Sequence, residues 1–131
     1  MYRKGSNFER ELKKSLEEKG FAVVRSAGSH GVDIIAGRNG TIYIFECKST
    51  SKEKFYVKKE DIDKLISFSE TFGGKPYLAL KIKGKWLFIN PHLLHTDGKN
   101  YALDYKKIQV IAIDFKELVG EDRQIKFDEI I

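Results

Sequence analysis

Val32-Asp33-Ile34-Ile35-Ala36-Gly37-Arg38-Asn39-Gly40-Thr41-Ile42-Tyr43-Ile44-Phe45-Glu46-Cys47-Lys48 sets an Asn-Gly pair between two runs rich in β-branched and aromatic residues. A type I′ turn needs φ > 0 at both central positions, which Asn and Gly tolerate, so the stretch predicts a tight antiparallel hairpin. Arg38 then pairs with Thr41, and the same register sets Asp33 opposite Glu46. Opposed residues share a face with Cβ atoms ~4.5–5.5 Å apart, and the two-residue period adds Lys48 to that face. Cys47 falls on the other face, as a buried and inert thiol. Two carboxylates opposed on a sheet as apolar as Ile42-Tyr43-Ile44-Phe45 repel each other and need neutralising. One reading is an Asp/Glu/Lys salt-bridge ladder at strand ends, worth ~1 kcal/mol at most if exposed. The other is a hard divalent cation held by two carboxylates and a main-chain carbonyl. Lys48 would then orient or deprotonate a water and counter charge on a phosphate.

Outward from the hairpin, Ser6-Asn7-Phe8-Glu9 has the form of a capping box, with Ser6 as N-cap and Glu9 at N3. Phe8, Leu12 and Leu16 follow at four-residue spacing, which predicts a helix over 6–19, stopped by Gly20. Glu9 lies about 60° from the centre of that stripe, so it leans toward the sheet. Residues 21–25 read as a short, largely buried strand, 26–31 as a loop, and 49–56 as a Lys-rich loop. Ile62, Leu65, Ile66, Phe68 and Phe72 predict a second helix over 58–72, ended by Gly73-Gly74. Phe72 is placed with the Ile62/Leu65 stripe and Phe68 toward its edge, leaving an apolar patch for a partner. A second hairpin joins strands 76–82 and 85–89 across Lys83-Gly84, and 107–113 reads as a last strand. The order predicts an α/β protein with a mixed central sheet flanked by helices.

The chain's 131 residues fit one compact domain, which buries roughly two thirds of the surface its unfolded form exposes. One cysteine excludes an internal disulfide, and His30, His92 and His95 lack metal-site spacing. The expected compartment is reducing cytoplasm, since no apolar run approaches the ~18 residues of a membrane span. Lys and Glu dominate a charged fraction of 33%, a pattern shared with heat-stable proteins. Net charge is +5, but residues 114–131 carry six acids and three bases, so the preceding body holds +8. Such a field suits a polyanion, above all nucleic acid.

The residues then show a family resemblance. Asp33 followed by Glu46-Cys47-Lys48 resembles the D…E-x-K motif of restriction-endonuclease-like nucleases. More specifically, Arg3-Lys4-Gly5, Glu9-Arg10-Glu11-Leu12, Gly20-Phe21-Ala22-Val23-Val24-Arg25-Ser26-Ala27-Gly28-Ser29, Asp33-Ile34-Ile35-Ala36, Tyr56-Val57 and Phe68…Phe72-Gly73-Gly74 stand in the order of archaeal-type Holliday junction resolvases. The resemblance covers about residues 1–90. It implies a homodimeric, Mg²⁺-dependent endonuclease, with one or two ions bound, that cuts two opposed strands of a four-way DNA junction. It implies metal ligation by Asp33, Glu46 and the Cys47 carbonyl, with Glu9 as a further active-site acid and ligand. Lys48 is implied as the catalytic lysine and Ser29 as a catalytic loop serine, while Arg10 and Arg25 contact DNA and Phe68 and Phe72 form the dimer interface. Two rival functions stand beside it: another nuclease of the same fold, and a non-catalytic junction-binding module. The loop 26–31 is short and carries His30 where relatives often place bases. The tail 124–131, with Gln124, Phe127 and Ile130-Ile131, resembles a sliding-clamp docking motif without its terminal aromatics, and otherwise packs on its own domain.

Overall fold

A computed structural model describes residues 4–26 and 31–120, with the backbone alone at 4–6. Ser29 and the tail 124–131 therefore lie outside the described residues. The Asn-Gly hairpin is present: Asn39 and Gly40 both have positive φ, 50° and 85°, and Arg38 pairs with Thr41. Its strands are β2 (Ile34–Arg38) and β3 (Thr41–Thr50). β1 (Ala22–Arg25) adds to the β2 edge, and β5 (Lys75–Ile82) runs parallel to β3 after a crossover through α2 (Lys59–Phe72). β6 (Lys85–Ile89) closes a mixed five-stranded sheet of order β1-β2-β3-β5-β6. The Lys83-Gly84 hairpin joins its last two strands.

Helices cover both faces, as the sequence pattern predicts. α1 (Lys4–Glu18) packs Phe8, Leu12 and Leu16 on Ile34, Ala36, Phe45, Cys47 and Phe88, and α4 (Phe115–Leu118) joins the same cluster. On the opposite face Leu65 of α2 meets Val32 and Ile44, while Ile62 joins Leu78, Leu80 and Ile82. Arg38 locks the turn end of the hairpin: its guanidinium donates to the carbonyls of Lys19 and Val119 and lies 4.2 Å from the Phe21 ring centre. The ends of α1 and α4 are thereby tied to one side chain.

Several expectations fail locally. α1 begins at Lys4, so Ser6 lies within the helix and not at the N-cap position the capping-box reading gave it. β1 is an edge strand; Phe21 before it is buried, but Val24 is 64% exposed. The expected loop 49–56 instead holds the end of β3 and the start of β4 (Lys54–Lys58), which pairs with β7 (Asn100–Asp104) in a separate two-stranded ribbon. No last strand spans 107–113: α3 (Tyr105–Ile108) turns there, and only Ile113 bridges, to Phe88. On α2 the aromatic order is reversed. Phe68 packs against the Leu65 cluster, whereas Phe72 is 49% exposed, its ring stacked on Phe68 at 5.6 Å.

Candidate active site

The alternation of β3 separates two environments. Phe45 and Cys47 point into the α1 core, and Cys47 is buried with its thiol pushed up by that burial and by nearby carboxylates, as an inert thiol should be. Glu46 and Lys48 therefore emerge on the α2 side of the same strand. Asp33 arrives there by a slip in register. The ladder stops at Ile34 opposite Phe45, and the Asp33 N–H donates to the Phe45 carbonyl at 2.9 Å, one residue out of step. Its carboxylate Oδ2 then accepts the Cys47 N–H at 2.7 Å. Asp33 and Glu46 are thus neighbours without being a cross-strand pair, a correction to the simple hairpin register.

The site is short of positive charge. Burial raises the Glu46 carboxyl to about 8, helped by the charges of Asp33, Asp61 and Glu9 and opposed by Lys48. Lys48 Nζ lies 3.7 Å from Glu46, and that partner does not suffice to keep Glu46 ionised at neutral pH. Asp33 is also raised, first by burial, with the Cys47 N–H pulling the other way. Glu9 is raised by burial and by Asp33. Burial works against the Lys48 ammonium, but Glu46 and Asp61 outweigh it and raise its pKa, so Lys48 stays cationic. Such a site takes up a proton or a cation as readily as its geometry permits.

Glu9 leans to the sheet, as its position on α1 predicts, and its Oε1 accepts the Arg25 Nε–H at 3.0 Å. Arg25 and Glu9 are both largely covered, so Arg25 is an inner residue of the site's α1 side, whereas Arg10 is exposed on α1 and donates to Asn7. Phe68 and Phe72 lie elsewhere on α2, and Phe68 lines a cleft of about 1020 Å³ that also meets Lys58, Lys64 and Lys99. The sequence reading missed Asp61. In the first turn of α2, its Oδ2 accepts a hydrogen bond from Lys48 Nζ at 3.3 Å. The available signal was its place four residues before Leu65, at the head of the sheet-facing stripe.

A hard divalent cation fits this donor set. Among the described residues no three His, Cys, Asp or Glu side chains form a ready-made cage. Mg²⁺ asks for one or two carboxylates and retains waters, and Asp33 and Glu46 are the buried carboxylates here that would meet that demand.

Two carboxylates and a lysine, carried by β3 and by the residue just before β2 in a mixed sheet with helices on both faces, define a restriction-endonuclease-like fold. The solved Archaeoglobus fulgidus Hjc, described as a Holliday junction resolvase, has the same fold: TM-score 0.80, 31% identity, covering 89% of this chain and 96% of that one. A family model for the archaeal Holliday junction resolvase (Hjc) matches residues 1–127, and the chain belongs to that family. It is 66% identical over 130 residues to the crossover junction endodeoxyribonuclease Hjc of Methanocaldococcus jannaschii, covering 99% of this chain and 97% of that one. The Archaeoglobus fulgidus enzyme of the same name is 33% identical, covering 98% of each. No helix among the described residues is long and apolar enough to cross a membrane.

Proposed function

We propose that this chain resolves four-way DNA junctions by Mg²⁺-dependent hydrolysis of two opposed strands. The observation that carries the reading is the convergence of Asp33, Glu46 and Lys48 on one sheet face of a chain that belongs to the resolvase family. Asp33, Glu46 and the Cys47 carbonyl would hold the cation, with Glu9 close enough to add its charge. Bound there, the cation supplies Lewis-acid activation of phosphate and water. Lys48, kept protonated by its carboxylate neighbours, stabilises negative charge growing on the phosphate rather than removing a proton. Arg25 keeps Glu9 turned toward the site, and Arg10 offers an exposed charge to a DNA phosphate. Ser29 precedes Asp33 in the chain and is assigned its catalytic role on the resemblance alone.

Two opposed cuts require two sites, and a two-fold dimer matches a two-fold junction. The exposed Phe72 stacked on Phe68 is the surface we assign to the second copy. The test is cleavage of a labelled mobile junction against matched linear duplex, with and without Mg²⁺. Paired nicks in the junction alone, only with Mg²⁺, are expected. Equal cutting of linear duplex would point to another nuclease activity on the same fold, and tight junction binding without any cut would point to a binding module.

A further inference from the structure

Lys48 is held by carboxylates from two different elements. Glu46 precedes it by two residues on the same face of β3, 3.7 Å from Nζ. Asp61 reaches it from α2, at 3.3 Å and with hydrogen-bond geometry. Their surroundings differ in one respect that matters. Glu46 sits against Asp33, where a cation would take over its charge, and a carboxylate that ligates a cation is a weaker partner for a neighbouring ammonium. Asp61 also bears on that pair, raising both carboxyls, but of the two partners it is the one that meets Lys48 with hydrogen-bond geometry.

We propose that Asp61 is a positioning residue that holds the Lys48 ammonium beside the Asp33–Glu46 pair, with donors left for a phosphate oxygen. A lysine ammonium carries three N–H donors on a flexible four-carbon stem, so one bond from a second element restrains its direction without using its capacity. Asp61 is itself well placed to do this. It shares a helix face with Leu65, and Leu65 packs with Val32, next to Asp33 in the chain, and with Ile44, two residues before Glu46 on β3. The helix that carries Asp61 is thus indexed to the strands that carry the acids. A competing role exists, because acids in a first helical turn favour the helix dipole. Glu60 occupies the same turn, is mostly exposed, pairs with Lys64 at 3.4 Å and shows no contact with Lys48, so it serves as the control for that role.

The inference rests on the proposed hydrolysis, and the experiment keeps the two apart. Full-length wild type, Asp61→Asn, Asp61→Glu, Glu60→Gln, Lys48→Ala and the Lys48→Ala/Asp61→Asn double variant are compared on a labelled junction. Asp61→Asn should lower kcat by about tenfold or more, a part of the ~10²-fold expected for losing Lys48 itself. KM, junction affinity in EDTA and the Mg²⁺ concentration for half-maximal rate should be unchanged. Asp61→Glu should recover most of the rate, Glu60→Gln should match wild type, and Asp61→Asn should add nothing in the Lys48→Ala background. In metal-free protein, the side-chain methylene resonances of Lys48 should shift toward those of mobile lysines in Asp61→Asn but not in Glu60→Gln. Full activity of Asp61→Asn, a defect cured by excess Mg²⁺, an equal loss in Glu60→Gln, or unchanged Lys48 resonances would each overturn the proposal. If wild type cuts no junction, the hydrolysis reading fails, and the Lys48 resonances still decide whether Asp61 holds the lysine.

Discussion

Glu46 is buried beside like charges, and that burden makes it a source of instability in the metal-free protein and the carboxylate we propose as a cation ligand. In metal-free protein its carboxyl binds a proton up to about pH 8, whereas in the unfolded chain it releases that proton near 4.5. The folded state therefore holds more protons between these values. Glu46's contribution to stability is fully present below about 4.5 and is lost as the pH rises through about 8. Asp33 and Glu9 are displaced in the same sense. Thermal unfolding in EDTA from pH 5 to 8 should thus lose stability more steeply for wild type than for Glu46→Gln, by up to about 1.4 kcal/mol per pH unit. Mg²⁺ at pH 8 should restore wild type and leave Glu46→Gln unmoved; parallel pH curves for the two proteins would contradict the burial argument. In the cleavage assay, Asp33→Asn and Glu46→Gln should each abolish Mg²⁺-dependent cutting while junction binding in EDTA survives. Near-normal turnover in either would remove it from the ligand set. Asp33→Asn has a further cost, since the carboxylate that accepts the Cys47 N–H becomes a weaker acceptor.

At the scale of elements, what was legible is what depends on near neighbours in the chain. The Asn39-Gly40 turn, the β2–β3 pairing, the Lys83-Gly84 hairpin and the limits of α2 all follow from local turn chemistry and periodicity. The ribbon was not legible, because β4 pairs with a strand some fifty residues later, Lys54 against Asp104. Its inward residues, Phe55 and Val57, alternate with lysines and tyrosine that read as loop. The site divides in the same way. Asp33, Glu46 and Lys48 came from hairpin register, whereas Asp61 depends on how α2 lies on the sheet, which no local pattern specifies. Gly74 depends on that packing too. A Cβ there would lie 2.6 Å and 2.9 Å from Ile44 side-chain atoms and 3.0 Å from Ile42, where the chain passes from α2 into β5. Gly74→Ala must displace Ile44, which also supports Leu65, and should cost about 1–3 kcal/mol. A urea midpoint equal to wild type would show that Ile44 yields freely.

For the whole molecule, assembly and charge decide how DNA is met. If Phe68 and Phe72 bury against a second copy, light scattering at micromolar concentration should give a dimer mass, and Phe72→Glu should give a monomer with the fold intact. A monomeric wild type would remove the second site from the same particle. Net charge +5 understates the basic body, because residues 114–131 are acidic. Junction affinity should fall log-linearly with salt, because each phosphate neutralised releases counterion, with slope about −0.9 per contact on duplex DNA. The two arginines then separate. Arg10 is exposed, so Arg10→Ala should flatten the slope by about one such contact and spare kcat at saturating junction. Arg25 is largely covered and already engaged by Glu9 at 3.0 Å, so part of its charge is spent inside the protein. Arg25→Ala should change the salt slope less than Arg10→Ala does, yet lower cleavage more, because Glu9 loses the group that orients it beside Asp33. Measuring Kd from 50 to 200 mM salt together with kcat for both variants separates these effects. A larger slope change for Arg25→Ala with kcat intact would mean that Arg25 leaves Glu9 to bind phosphate in the complex.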